Sequence, residues 1–392
     1  MQEYKDRILE ISKEIENEII ELSDSIYANP ESGNQEFIAS NLHVAILEKH
    51  GFEVEKPYLG LNTGFRAEYR SKKPGPRICY MAEYDALPEI GHGCGHNLLG
   101  ATSTAAGIIL SKFIGELGGR VIVLGTPAEE TDGAKVHYVK KGAFDDIDLA
   151  MISHPTGGSY YYKSGSALAI DTLMFEFKGR AAHAAAEAEK GVNALDAVIL
   201  TFNNINALRQ QTRPDARIHG IISEGGVAPN IIPDHCVCKF YVRAGTKAYL
   251  HRLMKQVENC AKGAALATGC ELKIGPFEIA YENLVTNEAL SDVFERSLRE
   301  LGETKIKEPG EDYGSLDSGN VSQVCPTIHP YFPVSTVNIP SHTAEFAECT
   351  RTPYAHEKMM QTACAMALSG VHIIREPGTF AAIRNEFNRS RK

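Results

Sequence analysis

The stretch that decides the fold is RICYMAEYDALPEIGHGCGHN, residues 77–97. Its beginning, residues 77–83, is mostly apolar and has the length of a buried strand. A glycine-rich loop follows, and the small and apolar residues of 97–113 predict a closely packed helix. The sequence therefore predicts a strand, a loop that carries Asp, Cys and His, and a core helix, in that order.

Two more apolar runs predict strands of the same sheet. They are RVIVLGT, residues 120–126, and LAMIS, residues 149–153. Because the strands alternate with helices, the pattern predicts a parallel α/β sheet. Helices are predicted around this sheet at 1–27, 35–50, 286–301 and 354–374.

The middle of the chain has a different pattern. Its predicted elements are strand 171–178, helix 191–211, strands 217–223 and 235–243, helix 246–268 and strand 270–280. This β-α-β-β-α-β order is the ferredoxin-like pattern. The sequence thus predicts a two-domain α/β protein, in which 1–168 and 282–392 form one discontinuous domain and 169–281 form an inserted domain.

The composition excludes several classes of function. The 392 residues suffice for two or three domains, and 40 Lys and Arg against 50 Asp and Glu give a net charge of −10. This balance argues against a nucleic-acid surface, which needs clustered basic residues. The N-terminal stretch has no apolar signal segment, and no run of about 18 apolar residues predicts a membrane span. The expected location is the cytoplasm, where the nine cysteines would stay reduced.

Polar side chains follow three of the predicted strands. Asp85 comes directly after the first strand, Glu129 and Glu130 follow the second, and His154 follows the third. Cys94 and His96 lie a few residues beyond Asp85. Since ligands bind beyond the carboxyl ends of the strands in open α/β sheets, we expect these side chains to converge at one edge.

Each of these motifs has a plain structural alternative when taken alone. The loop GHGCGHN, residues 91–97, has the thiol and imidazole donors that transition metals prefer, but it is also an ordinary glycine-rich turn. PAEE, residues 127–130, is alternatively a solvated acidic turn. His154 and His342 are single histidines, which are usually structural. The case for chemistry depends on taking the motifs together.

The motifs in their order resemble the M20 family of metallopeptidases and amidohydrolases. They are AEYDALPEIGHGCGHN, GTPAEE, ISHP, KGRAAHAA, EGGVAPNIIPD and SHTAEF, and together they span nearly the whole chain from about residue 80. Within the family, the resemblance is to the branch that uses a cysteine as a metal ligand. The stretch GNVSQVCPTIHPYF, residues 319–332, is similar to the aminobenzoyl-glutamate hydrolase and β-alanyl-lysine dipeptidase group.

The resemblance implies a centre of two divalent transition metal ions. Cys94 is expected to bridge the two ions. His96 and His154 would complete one metal site, and Glu130 and His342 would complete the other. A bridging thiolate argues against magnesium and calcium, so zinc, manganese, cobalt and nickel remain.

The resemblance also implies roles around the metals. Glu129 would be the general base, and Asp85 would be the carboxylate that orients the ring of His96. His183, in GRAAHAA, resembles the family histidine that reaches a neighbouring subunit's active site and polarises the substrate carbonyl. The structural alternative for His183 is a surface histidine.

The inserted domain resembles the family's lid, which commonly forms a dimer. A homodimer through residues 169–281 is therefore expected. Asn230 and Arg243 resemble lid residues that hold the carboxylate or carbonyl of the substrate, and a guanidinium suits a planar carboxylate. A turn asparagine and a strand-end arginine in salt bridges are the structural alternatives.

Two positions depart from the family pattern. Many members have a histidine two residues before the aspartate of the first motif, whereas Glu83 stands there in this chain. We therefore expect His96 to replace that histidine. The cysteine branch more often has CGHD, whereas Asn97 follows His96 here, which leaves open how the loop is supported.

The expected function is hydrolysis of an amide bond in a small N-acyl amino acid or dipeptide. The attacking group would be a metal-bridged hydroxide with Glu129 as the base. Aminobenzoyl-glutamate-like amides and β-alanyl or basic dipeptides remain open as substrates. Two alternatives are an inactive metal-dependent binding or regulatory protein and a scaffold whose lid mainly mediates assembly. Glu129 argues against the first, because a binder has no use for a base.

Overall fold

The computed structural model describes residues 1–310 and 313–391. The chain forms two compact units. The first comprises Met1–Ser166, Leu284–Asp312 and Asp317–Lys392, and the second comprises Ala167–Asn283 together with Tyr313–Leu316.

The segment Tyr313–Leu316 was not part of the inserted domain in the sequence-based division. It joins the second unit through long-range hydrogen bonds. Leu168 donates its N–H to the carbonyl of Gly314, and Arg243 Nη1 donates to the carbonyl of Tyr313 and to Ser315 Oγ. A local pattern carries no signal for such contacts.

The described part of the chain contains helices in both units. The α-helices are α1 (Gln2–Ala28), α2 (Phe37–Lys49), α3 (His96–Leu117), α4 (Ala134–Lys140), α5 (Ala194–Leu208), α6 (Lys247–Thr268), α7 (Glu288–Glu300), α8 (Ser318–Ser322), α9 (Ala344–Cys349), α10 (Pro353–Arg375) and α11 (Pro377–Ser390). Two short 3₁₀ helices lie at Ala188–Lys190 and Arg209–Gln211.

The strands form three sheets. They are β1 (Glu53–Glu55), β2 (Phe65–Arg70), β3 (Arg77–Ala82), β4 (Arg120–Gly125), β5 (Leu149–Met151), β6 (His154–Thr156), β7 (Tyr161–Tyr162), β8 (Ala169–Lys178), β9 (Arg217–Glu224), β10 (His235–Ala244), β11 (Glu271–Gly275), β12 (Ile306–Lys307), β13 (Thr327–Ile328) and β14 (Tyr331–Pro333).

The central sheet of the first unit has the order β1-β2-β4-β3-β5-β13. The pairs β4–β3, β3–β5 and β5–β13 are parallel, which confirms the α/β sheet that the sequence predicts. The strands β1 and β2 add an antiparallel edge beside β4. A small second sheet, β12-β7-β14-β6, carries the segment that begins at His154.

Helix α3 is the core helix beneath this sheet. It packs against α1, α10 and β3, and its residues are buried over most of their length. By length and composition alone it could cross a membrane, but 89% of its most apolar window is buried inside the protein. A Cβ at Gly107 would lie 2.3 Å from Val123 Cγ2 in β4, so glycine allows the helix to approach the sheet closely.

The second unit has one antiparallel sheet, in the order β11-β8-β10-β9. With α5 and α6 packed against it, the chain order is β-α-β-β-α-β, which confirms the ferredoxin-like prediction. Cys236 and Cys238 are fully buried in its core beside Phe175 and Phe240. The edge strand β9 is exposed along most of its length.

Several short elements were absent from the sequence-based pattern. Among them are β1, β2 and the seven-residue helix α4, and the 14-residue C-terminal helix α11 was also not predicted. The last strand of the second unit also ends at Gly275, whereas the pattern extends it to residue 280. Short strands such as β1 and a helix as short as α4 contain too few residues to show a period, and tertiary contacts stabilise them.

Candidate metal centre

The carboxyl ends of three parallel strands supply most of the site. Glu83 and Asp85 follow β3, Glu129 and Glu130 follow β4, and His154 follows β5. All of these residues belong to the first unit. Parallel pairing therefore places the three polar segments at the same edge of one sheet, as the sequence predicts.

The glycine-rich loop brings Cys94 and His96 to this edge. Gly95 has φ +80° and caps the N-terminus of α3, so His96 is the first residue of that helix. A Cβ at Gly95 would lie 2.9 Å from Pro155 Cγ. Glycine is required here both for the left-handed backbone and for the close approach to the segment that carries His154.

The ligand atoms form three overlapping groups, and within each group all atoms lie within 4.8 Å of one another. These groups are Cys94, His96 and His154; Cys94, Glu130 and His342; and His96, Glu129 and Glu130. Cys94 is shared by the first two groups. The structure thus brings together all five predicted ligands and the predicted base.

Individual distances agree with donors that share an ion. Cys94 Sγ lies 3.4 Å from His154 Nε2, and Glu130 Oε1 lies 3.4 Å from His342 Nε2. His342 has φ +62°, a conformation uncommon outside glycine, and its N–H donates to the carbonyl of Gly93. That hydrogen bond ties the segment around His342 to the loop that carries Cys94.

Asp85 connects two of the ligands. Its Oδ1 accepts a hydrogen bond from His96 Nδ1 at 2.9 Å, and its Oδ2 accepts one from the backbone N–H of Glu130 at 3.0 Å. His154 Nδ1 likewise donates to the carbonyl of Pro155 at 2.7 Å. A neutral ring whose Nδ1 donates has its lone pair on Nε2, so both histidines are oriented to bind a metal ion through Nε2.

The donor set fits a pair of transition metal ions. Among the described residues, buried His96 Nε2 has no hydrogen-bond partner, as expected for an atom that is to bind a cation. One thiol, three imidazoles and a carboxylate form a set with sulfur and nitrogen donors. Such a set suits zinc, cobalt, nickel or manganese, and not magnesium or calcium.

The two adjacent glutamates have opposite electrostatic environments. Burial raises the pKa of Glu129 well above its usual range, and the charges of Glu83 and Asp317 add to the effect. Burial also acts to raise the pKa of Glu130, but the hydrogen bond from His342 and the charges of His96 and His342 together outweigh it and lower the pKa of Glu130 to about 2. One carboxylate is therefore suited to accept a proton and the other to remain an anionic ligand.

Comparison with known proteins places the chain in a family. Residues 169–268 match the peptidase dimerisation domain of M20 peptidases. The chain is 38% identical to the Xaa-Arg dipeptidase of Mus musculus over 344 residues, which cover 85% of this chain and 79% of the relative. The chain belongs to the M20 family.

This M20 enzyme, a metal-dependent amidohydrolase, has other relatives of known name. It is 27% identical to one of the subunits of the p-aminobenzoyl-glutamate hydrolase of Escherichia coli K12, over 93% of this chain and 91% of the relative. Its fold is similar to that of a dinuclear metal binding peptidase of the M20 family from Bacillus subtilis. There the TM-score is 0.73 at 17% identity, with 93% of this chain and 99% of that chain covered.

Asn97 and His92 of the M20 enzyme face helix α1. Asn97 Nδ2 donates to Ser23 Oγ at 3.0 Å and to Thr350 Oγ1 at 3.3 Å. These bonds support the loop where the family branch more often has an aspartate. His92 Nε2 donates to the carbonyl of Ile26, and His92 is in none of the ligand groups. His92 therefore points away from the predicted metal ligands, although it alternates with Cys94 and His96 in the sequence.

Sequence analysis missed the support of the PAEE turn. Ala128 has φ +60°, a conformation that costs a non-glycine residue on the order of 1–2 kcal/mol. Its N–H donates to Glu36 Oε1 at 2.8 Å, and Thr63 Oγ1 donates to Glu36 Oε2 at 2.8 Å. Glu36 is fully buried and holds the turn that presents Glu129. A glutamate at the start of a predicted helix gave no signal for this role.

A buried cation beside the site was also missed. Lys135 is fully buried and pairs with Glu83 and Asp317. A further neighbour, His329, stacks on His154 with ring centroids 5.5 Å apart, and burial lowers the pKa of His329 to about 3. His329 lies in the stretch 319–332, to which sequence analysis assigned no chemistry.

The three remaining predicted residues lie in the second unit. His183 is exposed, and its Nδ1 accepts hydrogen bonds from the N–H groups of Ala185 and Ala186. Its backbone forms a bridge with Ile231, next to Asn230. Arg243 lies in β10 and bonds within the second unit, as described above. Their roles toward a substrate stay predictions.

Proposed function

We propose that this M20 enzyme hydrolyses the amide bond of a dipeptide whose C-terminal residue is basic. The observation that carries the proposal is the pair of ligand groups that share Cys94, with Glu129 beside them. The substrate class comes from the mammalian relative, which is named for Xaa-Arg dipeptides. Aminobenzoyl-glutamate is the second candidate, because a bacterial relative that matches over most of this chain is named for it.

The proposed reaction assigns the chemistry to groups at one edge of the sheet. When bound, two divalent ions would lower the pKa of a water molecule and polarise the amide carbonyl. Glu129 takes a proton from the attacking water and delivers it to the leaving amine. Its raised pKa favours the acceptance of that proton. Asp85 holds the ring of His96 and the backbone of Glu130 in place throughout.

The second unit supplies the proposed substrate contacts. His183 would donate a hydrogen bond to the substrate carbonyl, Asn230 would hold a carbonyl or carboxylate, and Arg243 would bind the carboxylate. Replacing Arg243 by Met should raise KM more than it lowers kcat, and replacing His183 by Asn should mainly lower kcat. Unchanged kinetics in both variants, at full metal content, would remove these roles.

We also propose a homodimer through the second unit. Its edge strand β9 exposes Ile221 and Ile222, and an exposed apolar edge strand favours pairing with another strand. The match of residues 169–268 to a dimerisation domain supports this arrangement. Sedimentation equilibrium at micromolar concentration tests it: a dimer that Ile222→Lys dissociates is the expected result, and a monomeric wild-type protein would contradict it.

The first experiment is amide hydrolysis by protein stripped of metal and refilled separately with zinc, manganese, cobalt or nickel. The substrates are Xaa-Arg and Xaa-Lys dipeptides, a β-alanyl dipeptide, an N-acetyl amino acid and aminobenzoyl-glutamate. We expect metal-dependent release of a free amine, fastest with a basic C-terminal residue. Cleavage of aminobenzoyl-glutamate alone would select the second candidate. Absence of bound metal in the refilled wild-type protein would contradict the metal centre itself.

A further inference from the structure

A fully buried lysine lies behind the metal centre. Lys135, on α4, has no exposed side-chain surface, and its Nζ donates to Glu83 Oε1 and to Asp317 Oδ1, each at 2.6 Å. Its backbone N–H also donates to Asp317 Oδ2 at 3.1 Å. An ammonium group is retained in a protein core only when it is paired, because its desolvation costs several kcal/mol. The two carboxylates satisfy that requirement.

The carboxylates of Asp317 and Glu83 have different neighbours apart from Lys135. Both oxygens of Asp317 accept hydrogen bonds from Lys135. Glu83 gives only Oε1 to Lys135, and its Oε2 lies 3.2 Å from Nε2 of His96. Neither Glu83 Oε2 nor His96 Nε2 has a hydrogen-bond partner among the described residues. Glu83 therefore connects the buried lysine to the ring of a metal ligand.

We propose that Lys135 is a positioning residue of the metal centre, which holds Glu83 by one oxygen so that the other oxygen stays beside Nε2 of His96. The ring of His96 is then flanked by Asp85 at Nδ1 and by Glu83 at Nε2. Glu83 adds negative charge on the side from which a cation binds, which favours metal binding. The inference rests on the proposed ligand role of His96.

The direction in which replacement of Lys135 changes metal affinity distinguishes a positioning role from a purely electrostatic one. A buried cation repels a nearby metal ion, so removal of a lysine that acted only through its charge would tighten metal binding. Removal of a lysine that holds Glu83 in place would weaken it. A lysine that only stabilised the fold would change the free energy of unfolding of the metal-free protein and leave metal affinity unchanged.

The test compares three variants by metal affinity, measured by competition with a chelator for zinc. Lys135→Met removes the ammonium, and Glu83→Gln removes the charge beside His96. Asp317→Asn is the matched control, because Asp317 is equally buried and bound by the same ammonium. We expect Lys135→Met and Glu83→Gln each to weaken binding of one ion by about tenfold or more, and Asp317→Asn by clearly less than about tenfold. The double variant of Lys135 and Glu83 should lose no more than either alone.

Two results would overturn the proposal: unchanged or tighter zinc binding by Lys135→Met, or an equal loss in Asp317→Asn and Glu83→Gln. If Lys135→Met does not fold, Lys135→Met combined with Asp317→Asn removes one buried cation and one buried anion. This double variant leaves Glu83 without the hydrogen bond from Lys135. We therefore expect weak zinc binding, and wild-type affinity would contradict the proposal. Zinc binding by the wild-type protein is measured first. Its absence would contradict the proposed metal centre as a whole and the role of Lys135 with it, whereas normal wild-type binding with unchanged binding in Lys135→Met would contradict only the role of Lys135.

Discussion

At the scale of single residues, the two neighbours Glu129 and Glu130 show how the surroundings of a carboxylate change its affinity for a proton. They have the same side chain, yet Glu130 lies against His342 and Glu129 lies among other buried carboxylates. The first arrangement favours a permanent anion, and the second favours a group that binds protons readily. These surroundings support the proposed roles of Glu129 as base and Glu130 as metal ligand.

Glu129→Gln should remove turnover and keep the metals. A general base contributes about 10² to 10⁴ in rate, so we expect kcat to fall by that factor because an amide cannot accept the proton. Metal content, measured by elemental analysis, should equal that of the wild-type protein. Glu21→Gln, at an exposed position on α1, is the control and should keep full activity. Near-wild-type kcat in Glu129→Gln with any cleaved substrate would contradict the assigned base.

Glu36 should make the stability of the protein depend on pH. Burial raises the pKa of Glu36 from 4.5 to about 7. Since the folded pKa lies above the unfolded one, the contribution to stability is complete below about pH 4.5 and is lost as the pH rises through about 7. We expect a loss of about 3 kcal/mol of unfolding free energy over this window, which Glu36→Gln should lack. Chemical denaturation of the metal-free proteins from pH 4 to 8 measures the unfolding free energy of the wild-type protein and of Glu36→Gln. The same pH dependence in both proteins would show that Glu36 is not the source of the loss.

At the scale of elements, the position of α3 depends on glycine packing. This helix carries His96 at its first residue, so its distance from the sheet sets the position of a predicted metal ligand. Gly107 faces β4 and Gly115 faces open space on the same helix. The two glycines therefore form a matched pair in which the intrinsic helix preference is equal and only the packing differs.

Gly107→Ala should destabilise the fold, and Gly115→Ala should not. The new Cβ at position 107 would meet Val123 Cγ2 at 2.3 Å, and such overpacking costs about 1–3 kcal/mol. At position 115 nothing lies within 4 Å, so alanine should stabilise the helix by up to about 1 kcal/mol. Urea denaturation of the two variants gives both values. Equal changes in the free energy of unfolding would mean that intrinsic helix preference determines both values and that packing against β4 does not contribute.

At the scale of the whole molecule, every predicted metal ligand lies in the first unit and every predicted substrate contact in the second. The proposed metal-binding and substrate-binding roles are thus divided between the two units. Substitutions in the first unit should therefore affect metal binding, and substitutions at the predicted substrate contacts in the second unit should affect substrate binding without loss of metal.

Metal removal should lower the stability of the folded protein. A metal ion at about one hundred times its dissociation constant stabilises the folded state by about 2.7 kcal/mol per site. We expect the unfolding temperature to fall when a chelator is added and to recover when zinc is restored. Cys94→Ala should show a much smaller shift, because it removes the shared ligand of two groups, whereas Arg243→Met should shift like the wild-type protein. Equal shifts in Cys94→Ala and the wild-type protein would place the metals elsewhere.

The sequence by itself determined the central strands of the first unit and the order of elements in the second unit. Apolar runs predicted β3, β4 and β5, with α3 between the first two, and the pattern of strands and helices in the middle of the chain predicted the β-α-β-β-α-β order of the second unit. The position of Asp85, Glu129 and His154 after parallel strands was enough to predict that they converge, because a parallel sheet has all its carboxyl ends at one edge.

The tertiary structure decided which groups surround that edge. Glu36, Lys135 and Asp317 come from distant positions in the chain, and no spacing relates them to Ala128 or Glu83. His92 and His96 stand in the same glycine-rich loop, but only packing against α1 turns His92 away from the metals. Periodicity records which face of an element is buried, whereas the partner of a buried charge depends on contacts between segments far apart in sequence.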